Sequence, residues 1–161
     1  MESSRFAPVL LCVLAFLVTI CQAQDSHDDF VNAHNGERSQ VSVPCLSWND
    51  TVASYASSYA ENSTRDCILK LSNTTDYGEN VIIGTGSYTG VDAVNAWAAE
   101  KQNYDYASNS CAEGKVCGHY TQVVWNTSTN LGCARATCNN GSIFITCNYY
   151  PPGNFLGERP Y

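Results

Sequence analysis

The chain has 161 residues, 44% of them hydrophobic, with 15 acidic against 8 basic residues and a formal net charge of −7. That balance argues against nucleic acid and anionic membranes as partners, since both call for a basic face. Nine cysteines make the redox compartment the first question, because it decides how each of them is interpreted.

The N-terminus carries Arg5, an apolar run from Val9 to Cys21, and then Gln22-Ala23. A positive start, a short apolar stretch and small residues at −3 and −1 mark a cleaved signal peptide; a membrane span would need about 20 apolar residues. Cleavage is expected after Ala23. It leaves residues 24–161 as a single domain, exported to the extracellular space, with no transmembrane segment and no anchor signal at the C-terminus.

Helical spacing begins at Asp28, with Phe30, Ala33, His34, Glu37 and Val41 on or near one face, and Pro44 ends it. A second helix starts at Asn49 as N-cap and runs through Val52, Tyr55, Ala56, Tyr59 and Ala60. Residues 61–77 are rich in Asn, Ser, Thr and Asp, which predicts a long loop tethered at Cys67. Asn80 to Gly84 is a short apolar strand, and Gly84, Gly86 and Gly90 form a connection into a third helix that buries Val91, Val94, Trp97 and Ala98. Its glycine spacing does not match a dinucleotide-binding loop. Three strands are then expected, at His119–Trp125, Leu131–Cys138 and Ser142–Tyr150. Helices first and hairpin-linked strands later predict an α+β domain, helices packed over a mostly antiparallel sheet.

Seven cysteines remain after cleavage, and in an exported chain they predict a disulfide framework with one thiol left over. A three-residue turn at Asn139-Asn140-Gly141 sets Cys133 opposite Cys147, within reach of a disulfide, whereas a two-residue turn shifts the register and spoils the pair. Cys138 has the other parity and needs a remote partner. Cys111 and Cys117 are close enough to clip their own loop. Five sequons, at Asn49, Asn62, Asn73, Asn126 and Asn140, are candidates for N-glycosylation on a polar surface.

No serine-hydrolase elbow and no zincin helix are present. Three histidines remain, with His27 in the acidic N-terminal tail, His34 on the first helix and His119 at the start of an expected strand. Glu79 lies in the tight Tyr77-Gly78-Glu79-Asn80 turn and Glu100 one turn beyond Trp97 on the third helix. Two histidines and two carboxylates could hold a divalent metal or run acid–base chemistry. Spacing by itself favours separate helix-face and strand-edge residues with structural hydrogen bonds.

The strings Ala33-His34-Asn35, Tyr77-Gly78-Glu79-Asn80, Cys117-Gly118-His119-Tyr120-Thr121-Gln122-Val123-Val124-Trp125 and Cys147-Asn148-Tyr149-Tyr150-Pro151 resemble the signatures of the CAP superfamily. That group gathers cysteine-rich secretory proteins, antigen 5 and group 1 pathogenesis-related proteins. The ending from Pro152-Gly153-Asn154 to Arg159-Pro160-Tyr161 is similar to the plant pathogenesis-related type. The resemblance, from about Phe30 to Tyr161, implies an α-β-α sandwich with the pairs Cys67–Cys138, Cys111–Cys117 and Cys133–Cys147. Cys45 is left as the free thiol, expected behind Trp48. It also implies a cavity tetrad of His34, Glu79, Glu100 and His119, in which His34 and His119 could take zinc or another divalent cation while no cofactor is required. Functions it implies are binding of sterols, other small lipids or pathogen surface components by a monomer, and release of residues 151–161 as a defence peptide. A metal-dependent hydrolase using the His/Glu cluster is the alternative, and catalysis has the weakest support of the three.

Overall fold

A computed structural model describes residues 25–161; the expected signal peptide lies outside the described residues. Helix α1 (His27–Gln40) opens with a capping box, in which the Ser26 side chain accepts from the Asp29 amide and the Asp29 carboxylate accepts from the Ser26 amide. Strand β1 (Ser47–Trp48) leads into α2 (Asp50–Ser63), whose N-cap is Asn49, accepting from the amides of Thr51 and Val52. Strand β2 (Gly78–Gly84) and α3 (Gly90–Ala98) follow, and α3 carries its own capping box between Thr89 and Asp92. A 3₁₀ turn (Ala99–Asn103), the short ribbon β3 (Tyr104–Asp105) and β4 (Ser110–Cys111), and helix α4 (Gly118–Val123) precede the hairpin β5 (Asn130–Thr137) and β6 (Ile143–Tyr150).

The main sheet has the order β1-β5-β6-β2, parallel at β1/β5 and antiparallel elsewhere. Because strand side chains alternate, β6 serves two layers at once. Ile143, Ile145, Cys147 and Tyr149 pack with Phe30, Val94 and Trp97 of α1 and α3. Phe144, on the other face, joins Ala60 of α2 with Val81 and Cys138. Helices on both faces of a four-stranded sheet make the expected α-β-α sandwich. The backbone of α2 comes so close to β5 that a Cβ on Gly132 would lie 2.1 Å from the amide nitrogen of Ala53.

The turn at Asn140 has three residues: Cys133 stands opposite Cys147, and the two are bonded. Cys111 is bonded to Cys117 and Cys67 to Cys138, across 71 residues of sequence. Cys138, with its opposite parity, therefore ties the sheet's α2 side to the loop that follows α2.

Several expectations are corrected. Residues His119–Trp125 do not form a strand; Gly118–Val123 is helix α4. The Val-Val-Trp run has strand propensity, but tertiary contacts override it. The Glu100 carboxylate accepts from the His119 and Tyr120 amides at the start of the helix, and the Arg38 guanidinium donates to Val123 O and Trp125 O at its end. Cys45 is exposed, not buried behind Trp48. The place against Trp48 is taken by His27, the first residue of α1, whose ring stacks on the indole at 4.0 Å. Glu79 belongs to strand β2 instead of a turn, and Glu100 lies in the 3₁₀ turn just past α3. Strand β1 and its parallel pairing were not anticipated, since two residues carry no periodicity.

Candidate functional site

The four residues of the expected tetrad are carried by four elements, and the fold distributes them over three environments. Glu100 and His119 meet directly. His119 Nδ1 lies 2.6 Å from Glu100 Oε1, while Glu100 Oε2 accepts from the amides of His119 and Tyr120 at 3.0 and 3.2 Å. One carboxylate thus orients the imidazole and caps α4, with no other side chain serving as cap. The His119 ring lies nearly parallel to the Trp97 indole, 6.3 Å between centroids, and the side chain is 32% exposed. An imidazole held at Nδ1 by a carboxylate and about one-third exposed is arranged to exchange a proton or accept a ligand.

His34 also neighbours Trp97, 6.5 Å between ring centroids, but is completely buried. Its Nδ1 lies 2.7 Å from Phe30 O and its Nε2 2.8 Å from the Tyr149 hydroxyl. A carbonyl can only accept, so Nδ1 carries the proton and Nε2 accepts from Tyr149. The Tyr149 oxygen accepts from Asn80 Nδ2, whose second proton goes to His119 O. A buried chain of hydrogen bonds therefore runs from α1 through β6 and β2 to the backbone of α4. Burial, opposed only by the Phe30 bond, lowers the His34 pKa from 6.5 to about 4. Burial likewise raises that of the Tyr149 phenol.

Glu79 is on the α2 side of the sheet, since on β2 it alternates with Asn80. Its carboxylate accepts from the Ser72 amide at 2.6 Å and from Asn148 Nδ2 at 3.1 Å. It holds the loop after α2 against β6.

A zinc site that uses His34 does not fit this arrangement, because both of its ring nitrogens are already hydrogen-bonded inside the core. Among the described residues no three His, Cys, Asp or Glu side chains come together as metal ligands. Sequence reasoning also missed Arg38. It is fully buried on α1 with no carboxylate partner among the described residues, donating to the carbonyls of Pro44, Val123, Trp125 and Ser128. Its position one turn after His34 was the available signal.

The surface beside α2 is different in kind. Ile68 and Leu69 are each 59% exposed and Leu71 48%. With Tyr59, Asp66 and Ser72, Ile68 and Leu71 line a groove of about 340 Å³. Asn62, Ser63, Lys70 and Asn73 complete its border, and two larger hollows, each about 540 Å³, include Asp25, Asp50 and Arg135 in one and Asn49 and Asp76 in the other. No helix among the described residues is long and apolar enough to cross a membrane.

A profile of the cysteine-rich secretory protein family (CAP) matches residues 31–149. The chain is 51% identical over 158 residues to pathogenesis-related protein PR-1 type of Sambucus nigra, covering 97% of this chain and 95% of that one. It is 48% identical over 158 residues to pathogenesis-related protein 1 of Arabidopsis thaliana, covering 98% and 96%. Venom allergen-like protein 4 of Schistosoma mansoni superposes with a TM-score of 0.67 at 27% identity, covering 82% of this chain and 90% of that one. NaASP2, crystallised with Zn²⁺, gives 0.68 at 23% identity, covering 87% and 88%, a likeness of fold.

Proposed function

The chain belongs to the cysteine-rich secretory protein (CAP) family, with relatives of the pathogenesis-related 1 type, and on that footing we propose that it is an exported plant defence protein that binds a sterol or another small lipid in the groove beside α2. The observation that carries the reading is the exposure of Ile68, Leu69 and Leu71 on one short loop. Neighbouring apolar side chains left open to water are characteristic of a surface that meets an apolar partner. The loop is held at Cys67 by its bond to Cys138 and at Ser72 by Glu79, so the groove is preformed. Its volume of about 340 Å³ falls at the small end of the range of roughly 300–1,000 Å³ for ligand pockets, suiting a partly inserted ligand.

Three disulfides are in keeping with an oxidising compartment. The test is titration with a fluorescent sterol. Wild type is expected to saturate, and Leu71→Asp to weaken uptake about tenfold or more with an unchanged circular dichroism spectrum. Absence of saturable uptake by folded wild-type protein would sink the reading.

Release of residues 151–161 as a peptide is compatible with that role. Tyr150 and Pro151 at the junction are exposed. The end of the tail is seated, with Pro160 O accepting from the Asn126 amide and the Tyr161 ring stacked on Tyr106 at 4.7 Å. Mass spectrometry of fluid from infected tissue decides between them: a free peptide beginning at or beside Pro151 supports release, and only intact protein rejects it.

A further inference from the structure

Two of the five sequons open onto the groove just described. Asn62, on the last turn of α2, and Asn73, in the loop with a left-handed φ of 62°, are both exposed, and both line the groove that Ile68 and Leu71 also line. Each heads an Asn-x-Thr triplet, Asn62-Ser63-Thr64 and Asn73-Thr74-Thr75. Asn49 is placed differently. It is half-buried, its Oδ1 accepts from the Thr51 and Val52 amides, and its Nδ2 donates to Asn130 Oδ1 at 3.1 Å. A sugar on that nitrogen would take one of its two protons and place a bulky group at a half-buried helix cap beside Asn130. Asn126 and Asn140 are exposed, but neither lines the groove.

We infer that Asn62 and Asn73 are N-glycosylation sites whose sugars stand on the lips of the groove, cover its exposed apolar side chains, and restrict which ligands enter. In the modification, Asn Nδ2 forms a bond to the anomeric carbon of an oligosaccharide. The bond from that carbon to a lipid-linked diphosphate breaks, the diphosphate leaves with the electron pair, and one amide proton passes to a base of the transferase. The co-reactant is a lipid diphosphate oligosaccharide of the secretory pathway. A bulky hydrophilic group at the rim keeps water over Ile68 and Leu71 and narrows the entry. The restriction of ligands rests on the lipid-binding reading; the occupancy of the two asparagines does not.

The experiment uses the full chain secreted from a eukaryotic host. Enzymatic removal of glycans in heavy-oxygen water converts each occupied Asn to labelled Asp, which peptide mapping locates. Label is expected at Asn62 and Asn73 and not at Asn49. The intact and deglycosylated proteins, and an N62Q/N73Q double variant, are then compared for binding of an apolar fluorescent dye and of a fluorescent sterol. Removing the sugars, or never adding them, is expected to raise dye binding severalfold and to speed sterol entry. Bare Asn62 and Asn73, or occupied sites whose removal changes neither readout, would overturn the inference. A rise in dye binding with no sterol uptake by any form would reject the lipid reading while leaving the covering sugars in place.

Discussion

His34 shows how one buried side chain carries a pH dependence. Its pKa is lowered to about 4 in the folded chain against 6.5 for an exposed imidazole. The neutral ring that Phe30 O and Tyr149 hold is therefore favoured wherever an unfolded imidazole is also neutral. The stability it contributes is complete above pH 6.5 and is lost as the pH falls toward 4, where unfolded chains take up a proton that folded ones refuse. The loss is about 3 kcal/mol at its limit. Urea unfolding of wild type and His34→Gln at pH 7, 5 and 4 checks it. Wild type is expected to lose about 3 kcal/mol more than the variant over that range, and parallel curves would remove His34 as the cause. At the same scale, Arg38 stays charged inside the core, its pKa lowered by burial to about 10. Its four carbonyl bonds supply what a carboxylate partner would otherwise supply.

Among the elements, α2 and β5 approach closely. Gly132 faces the backbone of Val52 and Ala53, where an added Cβ would meet main-chain atoms at 2.1–2.6 Å. Backbone cannot turn aside as a side chain can, so α2 would have to lift from the sheet. Gly132→Ala is expected to cost about 1–3 kcal/mol, read as a lower denaturant midpoint. It should also disturb the groove, since Tyr59 and Asn62 sit on the lifted helix. A midpoint equal to wild type would show that the contact is looser. Helix α4 illustrates the same dependence. Its sequence has strand character, and its two ends are set by Glu100 and Arg38 from elsewhere in the chain. No local pattern in residues 119–125 records those partners, which is why the segment reads as a strand. Strand β6, by contrast, was legible because both faces of a buried strand leave a long apolar run.

Over the whole molecule the three disulfides differ in what they enclose. Cys67–Cys138 closes 71 residues and Cys111–Cys117 only 6. Loop-closure entropy makes the first worth about 4 kcal/mol and the second about 2 kcal/mol. Cys67→Ala/Cys138→Ala is therefore expected to lower the unfolding free energy by about 2 kcal/mol more than Cys111→Ala/Cys117→Ala, measured by urea titration. Equal losses would mean that strain or residual structure outweighs the loop. The first pair also holds the apolar loop against the sheet, so its loss should weaken sterol uptake when the second pair's loss does not.

By itself the sequence determined the fold class and the family, because these rest on local periodicity and contiguous strings. Asn49 is enough to start α2, but strand parity leaves the hairpin disulfide dependent on turn length, and only the structure selects the three-residue turn that sets Cys133 against Cys147. Which histidine is buried and which is open was decided only by the tertiary structure. His34 and His119 lie 85 positions apart, and Trp97, Asn80 and Tyr149 come between them from three other elements. Helical spacing places His34 on an inner face but cannot say that Phe30 O and Tyr149 will occupy both of its nitrogens. Burial and pairing are properties of the whole packing, and they separate the core imidazole from the one that Glu100 presents toward solvent.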